Sequence, residues 1–236
     1  MISASQHVRL ELRKRLDTRG AMIGYGAIVL LVVLCAISSV SLVLRNGSFD
    51  AGEVIITVSL PGALVSAVIG AVCGVGDGRA GGERDGILTG LPRGTIYGAR
   101  AAACACLVAG VVLLSLVVAA VGVVAAVSLG GHLNSASIGA PIGQVAALTL
   151  SSAAMAFGIG ASVRSLPLAL VSVVLIVLVA DVALSFAGAW TAWIRFSAVQ
   201  GGVLGESRVL PAVTSGLVWI AVPCVGGYLR TRTVEA

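Results

Sequence analysis

Six long apolar runs divide the chain, at residues 22–44, 54–75, 99–129, 141–161, 166–187 and 209–228. The first holds 23 residues without a charged side chain, and at about 1.5 Å per residue that length crosses a hydrocarbon layer about 30 Å thick. Inside such a layer the backbone must satisfy its own hydrogen bonds, so each run is expected to be helical. Charged residues make up 11% of the sequence and hydrophobic residues 58%, with a mean hydropathy of +1.08; soluble domains carry about a quarter charged residues. The expectation is an all-α polytopic membrane protein, one domain over 1–236, with six spans.

Basic residues set its expected orientation. Twelve of the fifteen (Arg9, Arg13, Lys14, Arg15, Arg19, Arg79, Arg84, Arg93, Arg100, Arg164, Arg230 and Arg232) fall on one side if every run crosses once, leaving Arg45, Arg195 and Arg208 on the other. Positive charge in short loops is retained inside, so both termini are expected to be cytoplasmic in an integral plasma membrane protein, with a bacterial inner or cytoplasmic membrane the natural setting. The net charge of +5 reflects these flanks rather than a continuous basic patch, and nucleic-acid binding is excluded on that ground. The five cysteines, Cys35, Cys73, Cys104, Cys106 and Cys224, lie in or beside apolar runs and are read as packing residues. No metal site is expected.

Residues 4–19 read as an interfacial helix: Val8, Leu12 and Leu16 form a stripe, and Arg9, Arg13 and Arg15 reach toward anionic headgroups as anchors. A plain cytoplasmic flank predicts the same orientation. Pro61-Gly62 predicts a bend in the second span. The third run is longer than one crossing needs, so it tilts or projects beyond the hydrocarbon. Residues 188–206 carry Trp190 and Trp193, expected as headgroup-level anchors on a loop, a short outer helix or a re-entrant segment.

Between the second and third runs lies a polar island, Gly76 to Arg100, holding Asp77, Arg79, Glu83, Arg84, Asp85, Arg93 and Arg100 among only 25 charged residues in the chain. Leu91-Pro92-Arg93 suits a helix start, because proline in the first turn lacks an N–H that would be unpaired anyway. Glu83, Arg84 and Asp85 offer both charge signs, and Ile87, Leu88 and Ile96 offer small apolar anchors. An ordinary solvated loop is the competing reading, and the many glycines weaken a helix there.

The chain resembles the small ABC-2 type permeases, membrane subunits of ATP-binding-cassette exporters. A basic surface helix, six spans, a charged loop after the second span and a short segment before the sixth match that layout over nearly the whole length. Glu83 resembles the family acid, Gly86-Ile87 stands where Gly-Thr is common, Leu91-Pro92-Arg93 resembles the proline-arginine element, and Arg100 stands where lysine is usual. The resemblance implies a cytoplasmic coupling loop over 76–98, with Glu83, Arg84, Asp85, Ile87, Leu88, Pro92, Arg93 and Tyr97 gripping a separate ATPase. It also implies a second permease subunit, of the same or a related chain, and membrane lipids as surroundings. No Gly-x-x-x-x-Gly-Lys-Ser/Thr loop occurs and the sole lysine is Lys14, so this chain is expected to bind no cofactor itself, with ATP and Mg on the partner.

Asp181 is the one acidic residue within a span; facing lipid it would cost about 2.5–3.5 kcal/mol, so a cavity, a partner helix or an interface is expected. It suits either a structural hydrogen bond or a coupling carboxylate. Ser38, Thr57, Ser66 and Gln144, with Asp181, are candidates for a translocation path or interface. The small polar residues and the Gly158-x-Gly160 step equally suit close helix packing. His7 and His132 lie outside the spans, which argues against a buried serine protease and for a non-enzymatic role. The sequence therefore predicts an exporter permease for a hydrophobic or amphipathic substrate; an ion-coupled carrier using Asp181 and a non-transporting scaffold are the alternatives.

Overall fold

The structure is a computed structural model, and it describes residues 4–17, 19–76, 92–135, 138–205 and 208–233. A first helix, α1 (Ala4–Leu16), precedes α2 (Arg19–Asn46), α3 (Ala51–Val75), α4 (Arg93–Ser128), α5 (Gly139–Val163) and α6 (Leu166–Phe186). A 3-10 turn (Ala189–Trp193), α7 (Phe196–Leu204) and α8 (Val209–Thr233) complete the fold. Among the described residues, six helices, α2 to α6 and α8, are long and apolar enough to cross a membrane. The chain is an α-helical membrane protein.

One boundary differs from expectation. Residues 93–98, assigned to the loop, belong to the third span: α4 begins at Arg93 and runs 36 residues, about 54 Å of helix against a hydrocarbon layer of about 30 Å. Pro92 is the reason, since its φ of −63° and ψ of 134° place it at the N-cap and start the span directly rather than a separate short helix. Pro61, where the sequence predicts a bend, lies inside α3. Its neighbour Gly62 lets α4 come close, for a Cβ there would stand 3.0 Å from Ser115 Oγ.

Both turns expected on the outer side meet in a two-stranded parallel ladder that sequence periodicity does not reveal. β1 (Ser48–Asp50) pairs with β2 (His132–Ser135), Ser48 opposite His132 and Phe49 opposite Leu133. Phe49 is buried in a cluster with Ile28 and Val32 of α2, Val54 and Val58 of α3 and Ala119 of α4. At the far end of the bundle Arg15 reaches the Val72 carbonyl (3.0 Å) and Arg93 the Arg232 carbonyl (3.1 Å), which gathers α1 and the end of α8 together there.

Helices α3 and α5 form the centre: half of each best apolar window is buried, against 12% for α6 and 11% for α8. Glycine allows this. A Cβ at Gly70 would overlap the Ala153 backbone, one at Gly74 the Phe157 carbonyl, and one at Gly160 would stand 2.6 Å from the Ala71 carbonyl. Small residues spaced by four bring helix backbones together where lipid supplies no hydrophobic drive. Gly158, on the other side of α5, faces Pro223 and Cys224 of α8 in the same manner.

Gly74→Leu is expected to destabilise the fold by at least about 1–3 kcal/mol, the usual cost of overpacking, seen as a lowered unfolding midpoint in detergent. Gly110→Leu, where a Cβ meets nothing within 4 Å, is expected to leave the midpoint unchanged.

Candidate functional site

The polar island leaves α3 at Gly76 and rejoins the bundle at Pro92; both flanks are fastened to it. Gly76 has φ 67°, a backbone conformation that suits glycine. Its α-carbon lies so near the Arg100 guanidinium that a Cβ would stand 2.5 Å from Nη1. Arg100 is 6% exposed, so the basic residue opening the third apolar run is held inside, against the point where the island begins.

The other flank is held by aromatic and cationic contacts. The Tyr97 hydroxyl donates to the Cys224 carbonyl at 2.8 Å, and its ring meets Phe157 and Tyr228 edge-on, with centroids 5.2 and 5.6 Å apart. Arg232 stands over the Tyr228 ring at 5.1 Å. Arg230 donates to the Ser162 carbonyl, and Ser162 donates to the carbonyls of Gly158 (2.9 Å) and Pro223 (3.2 Å). Thus α4, α5 and α8 are joined through polar contacts in one layer, and Gly76 ties α3 to the same layer through Arg100.

Among the residues expected to grip an ATPase, Glu83, Arg84, Asp85, Ile87 and Leu88 lie outside the described residues. Pro92 is exposed at the start of α4, and Arg93 is partly buried beside the end of α8. Tyr97 points into the bundle, its ring and hydroxyl occupied by Phe157, Tyr228 and Cys224. This geometry gives it an internal linking part rather than a partner-facing one. Tyr228, Cys224, Arg230 and Arg232 were missed in sequence because nothing local connects the last span to the third.

The expected interfacial helix divides its residues in an unexpected way. Arg9 and Arg13 are exposed, Arg13 pairing with Asp17 at 3.1 Å. Arg15 lies against the bundle: its side chain is 12% exposed, bonds Val72 and lies 3.9 Å from Glu11. Leu12 packs beside the cluster of Cys73, Cys104, Leu107 and Phe157, while Leu16 is exposed. Helix α1 therefore packs against the bundle through one face, so Leu12 and Leu16 do not share a single lipid-facing stripe.

At the opposite end Asp181 has a defined task. Its Oδ1 accepts from the Ser197 backbone N–H at 2.9 Å and its Oδ2 lies 3.6 Å from Arg195. Ser197 sits in the first turn of α7, so the carboxylate satisfies one of the donors a helix start leaves open and complements the local dipole. A π-helical stretch, Leu175–Ala180, immediately precedes Asp181 and resets the helix register there. Around it Thr191 bonds the Leu184 and Gly188 carbonyls (2.8 and 2.7 Å), Thr214 bonds Trp193 (3.0 Å), and Trp219 bonds Ile194 (2.5 Å). Phe196 is buried, whereas Trp190 and Trp193 expose their rings.

The other path candidates are dispersed. Ser38 is exposed and bonds its own helix at Leu34, Thr57 is exposed, and Ser66 is fully buried. Gln144 lines a small void with Ser59 and Thr149. These side chains and Asp181 occupy separate environments within one chain. Cys104 is buried and Cys106 exposed, as a step of two on a helix requires.

Asp181→Leu is expected to cost about 1 kcal/mol through loss of the cap and to speed backbone hydrogen exchange in α7; Asp181→Asn, which keeps an acceptor for Ser197, is expected to keep most of that protection. Compared with known families and curated proteins, the chain matches no family model and no curated protein.

Proposed function

We propose that this protein is the membrane-spanning subunit of an ATP-driven exporter of the ABC-2 type, moved by a separate ATPase. One observation carries the reading: the segment between Gly76 and Pro92 is anchored on both sides to the central helices. Gly76 lies against Arg100, Arg93 bonds the end of α8, and Tyr97 joins α4 to α5 and α8. Force applied to the segment therefore acts on four spans together. In this reading the segment is cytoplasmic, as the distribution of arginines favours, and both termini share that side.

Glu83, Arg84 and Asp85 supply the charged contacts to the ATPase, with Ile87 and Leu88 as apolar anchors. ATP and Mg belong to that partner. The sparsely buried faces of α6 and α8 leave apolar surface for lipid and for a second permease subunit. A largely apolar interior with dispersed hydroxyls suits an amphipathic or hydrophobic cargo. The ion-coupled carrier is less favoured, because both oxygens of Asp181 are engaged in holding α7. The scaffold alternative differs in predicting no ATP-dependent flux.

Replacing Glu83, Arg84 and Arg93 together by alanine is expected to reduce co-purification of the partner ATPase by about tenfold, which corresponds to about 1.4 kcal/mol of lost contact, while membrane insertion persists. Undiminished capture together with undiminished ATP-dependent transport would overturn the assignment.

A further inference from the structure

A second feature lies on the flank of the same end of the bundle. Where α2 separates from α3, a groove of about 550 Å³ opens, floored by Val65, Val68 and Ile69 of α3 and walled by Gly24, Ala27 and Leu31 of α2. Its volume is that of a small-molecule site. Two α2 positions in the wall, Gly24 and Ala27, carry little or no side chain, and a Cβ at Gly24 would meet nothing within 4 Å. The seven helical steps of α3 from Val65 to Val72 give it a depth of about 10 Å along the bundle. It runs from the α1 end of the bundle toward the membrane interior.

The mouth is polar and cationic. Lys14 and Arg15 of α1 line it together with Tyr25. Lys14 is half exposed, with its ammonium 3.8 Å from Glu11, and Arg15 is held against Glu11 and the Val72 carbonyl. Nε and Nη2 of Arg15 have no hydrogen-bond partner among the described residues. Among the described residues, Glu11 is the carboxylate that both cations approach, two cations to one acid. Between Arg9 and Arg19 the chain carries five basic residues against Glu11 and Asp17.

We infer that this groove holds an anionic glycerophospholipid, one acyl chain lying between α2 and α3 and the phosphate at Lys14 and Arg15. The apolar recess opens sideways to the membrane, where acyl chains are the available occupant. The charge at its mouth selects the headgroup, since basic residues at a membrane surface favour anionic lipid. Bound there, the lipid fills the gap between α2 and α3 and fastens α1 to them. The inference is independent of ATP coupling and holds for a carrier or a scaffold as well.

Native mass spectrometry of the full chain in detergent tests it, with phosphatidylglycerol and phosphatidylcholine of identical chains offered at equal concentration. Wild type is expected to retain phosphatidylglycerol about fivefold more than phosphatidylcholine, the ratio one extra cation gives at a membrane surface. Lys14→Gln is expected to bring the two lipids near parity. Gly24→Leu and Ala27→Leu, each filling the recess from an exposed position, are expected to lose both adducts while Gly110→Leu keeps them; equal unfolding midpoints confirm that the variants are folded. Equal retention of the two lipids by wild type, or adducts undiminished in both filled variants, would overturn the inference. So would displacement of the lipid by inorganic phosphate alone, or a lipid-free dimer broken by Gly24→Leu, which would assign the groove to a free anion or to a second copy.

Discussion

The backbone-to-backbone contact of α3 with α5 is what the rest of the molecule depends on. In a membrane the apolar side chains gain little by leaving lipid, so helices associate through close van der Waals packing. Gly70 and Gly74 on one side and Gly160 on the other remove the atoms that would hold these helices apart. Because Gly158 gives α8 the same access to the opposite face of α5, the centre is a stack of three closely spaced backbones. The peripheral spans are placed by reference to it.

That stack explains why the two ends of the bundle behave differently. At one end, short strands and α7 are laid over the helices by neutral hydrogen bonds and by the single carboxylate of Asp181. At the other, charges and aromatics lock helix ends to each other: Arg100 beneath Gly76, Tyr97 between Phe157 and Tyr228, Arg93 and Arg230 on carbonyls of neighbouring helices. A segment set between such fastened flanks can transmit a displacement, because the packed helices beside it have no slack to absorb it. Asp181 shows the contrast. Its charge is spent on a helix start and an arginine, a structural use of an intramembrane acid.

The spans were legible in the sequence because their signal is additive: twenty or more apolar residues outweigh any local ambiguity. Boundaries were less so. The start of α4 depends on Pro92 serving the long helix rather than a short one, which is decided by packing of Tyr97 against α5 and α8. Gly70-x-x-x-Gly74 is a readable small-residue spacing and lies wholly in the contact with α5, whereas Gly158-x-Gly160 divides, Gly160 facing α3 and Gly158 facing α8. The β1–β2 pairing joins residues some eighty positions apart, and strands of three and four residues carry no periodicity that would reveal it. Arg15 is the instructive case. Its position in a basic helix suggests an exposed side chain, yet one face of α1 packs on the bundle, and that brings this arginine to the Val72 carbonyl.

The central claim is that the segment between Gly76 and Pro92 lies in the cytosol as a handle on the central helices, and its side of the membrane is directly measurable. In a chain with its five native cysteines replaced, a single cysteine at Arg84 can be offered a membrane-impermeant maleimide in intact cells and in inverted vesicles. The account predicts labelling in inverted vesicles and protection in intact cells. Labelling from the outer face of intact cells would contradict it, because no cytosolic motor reaches that side.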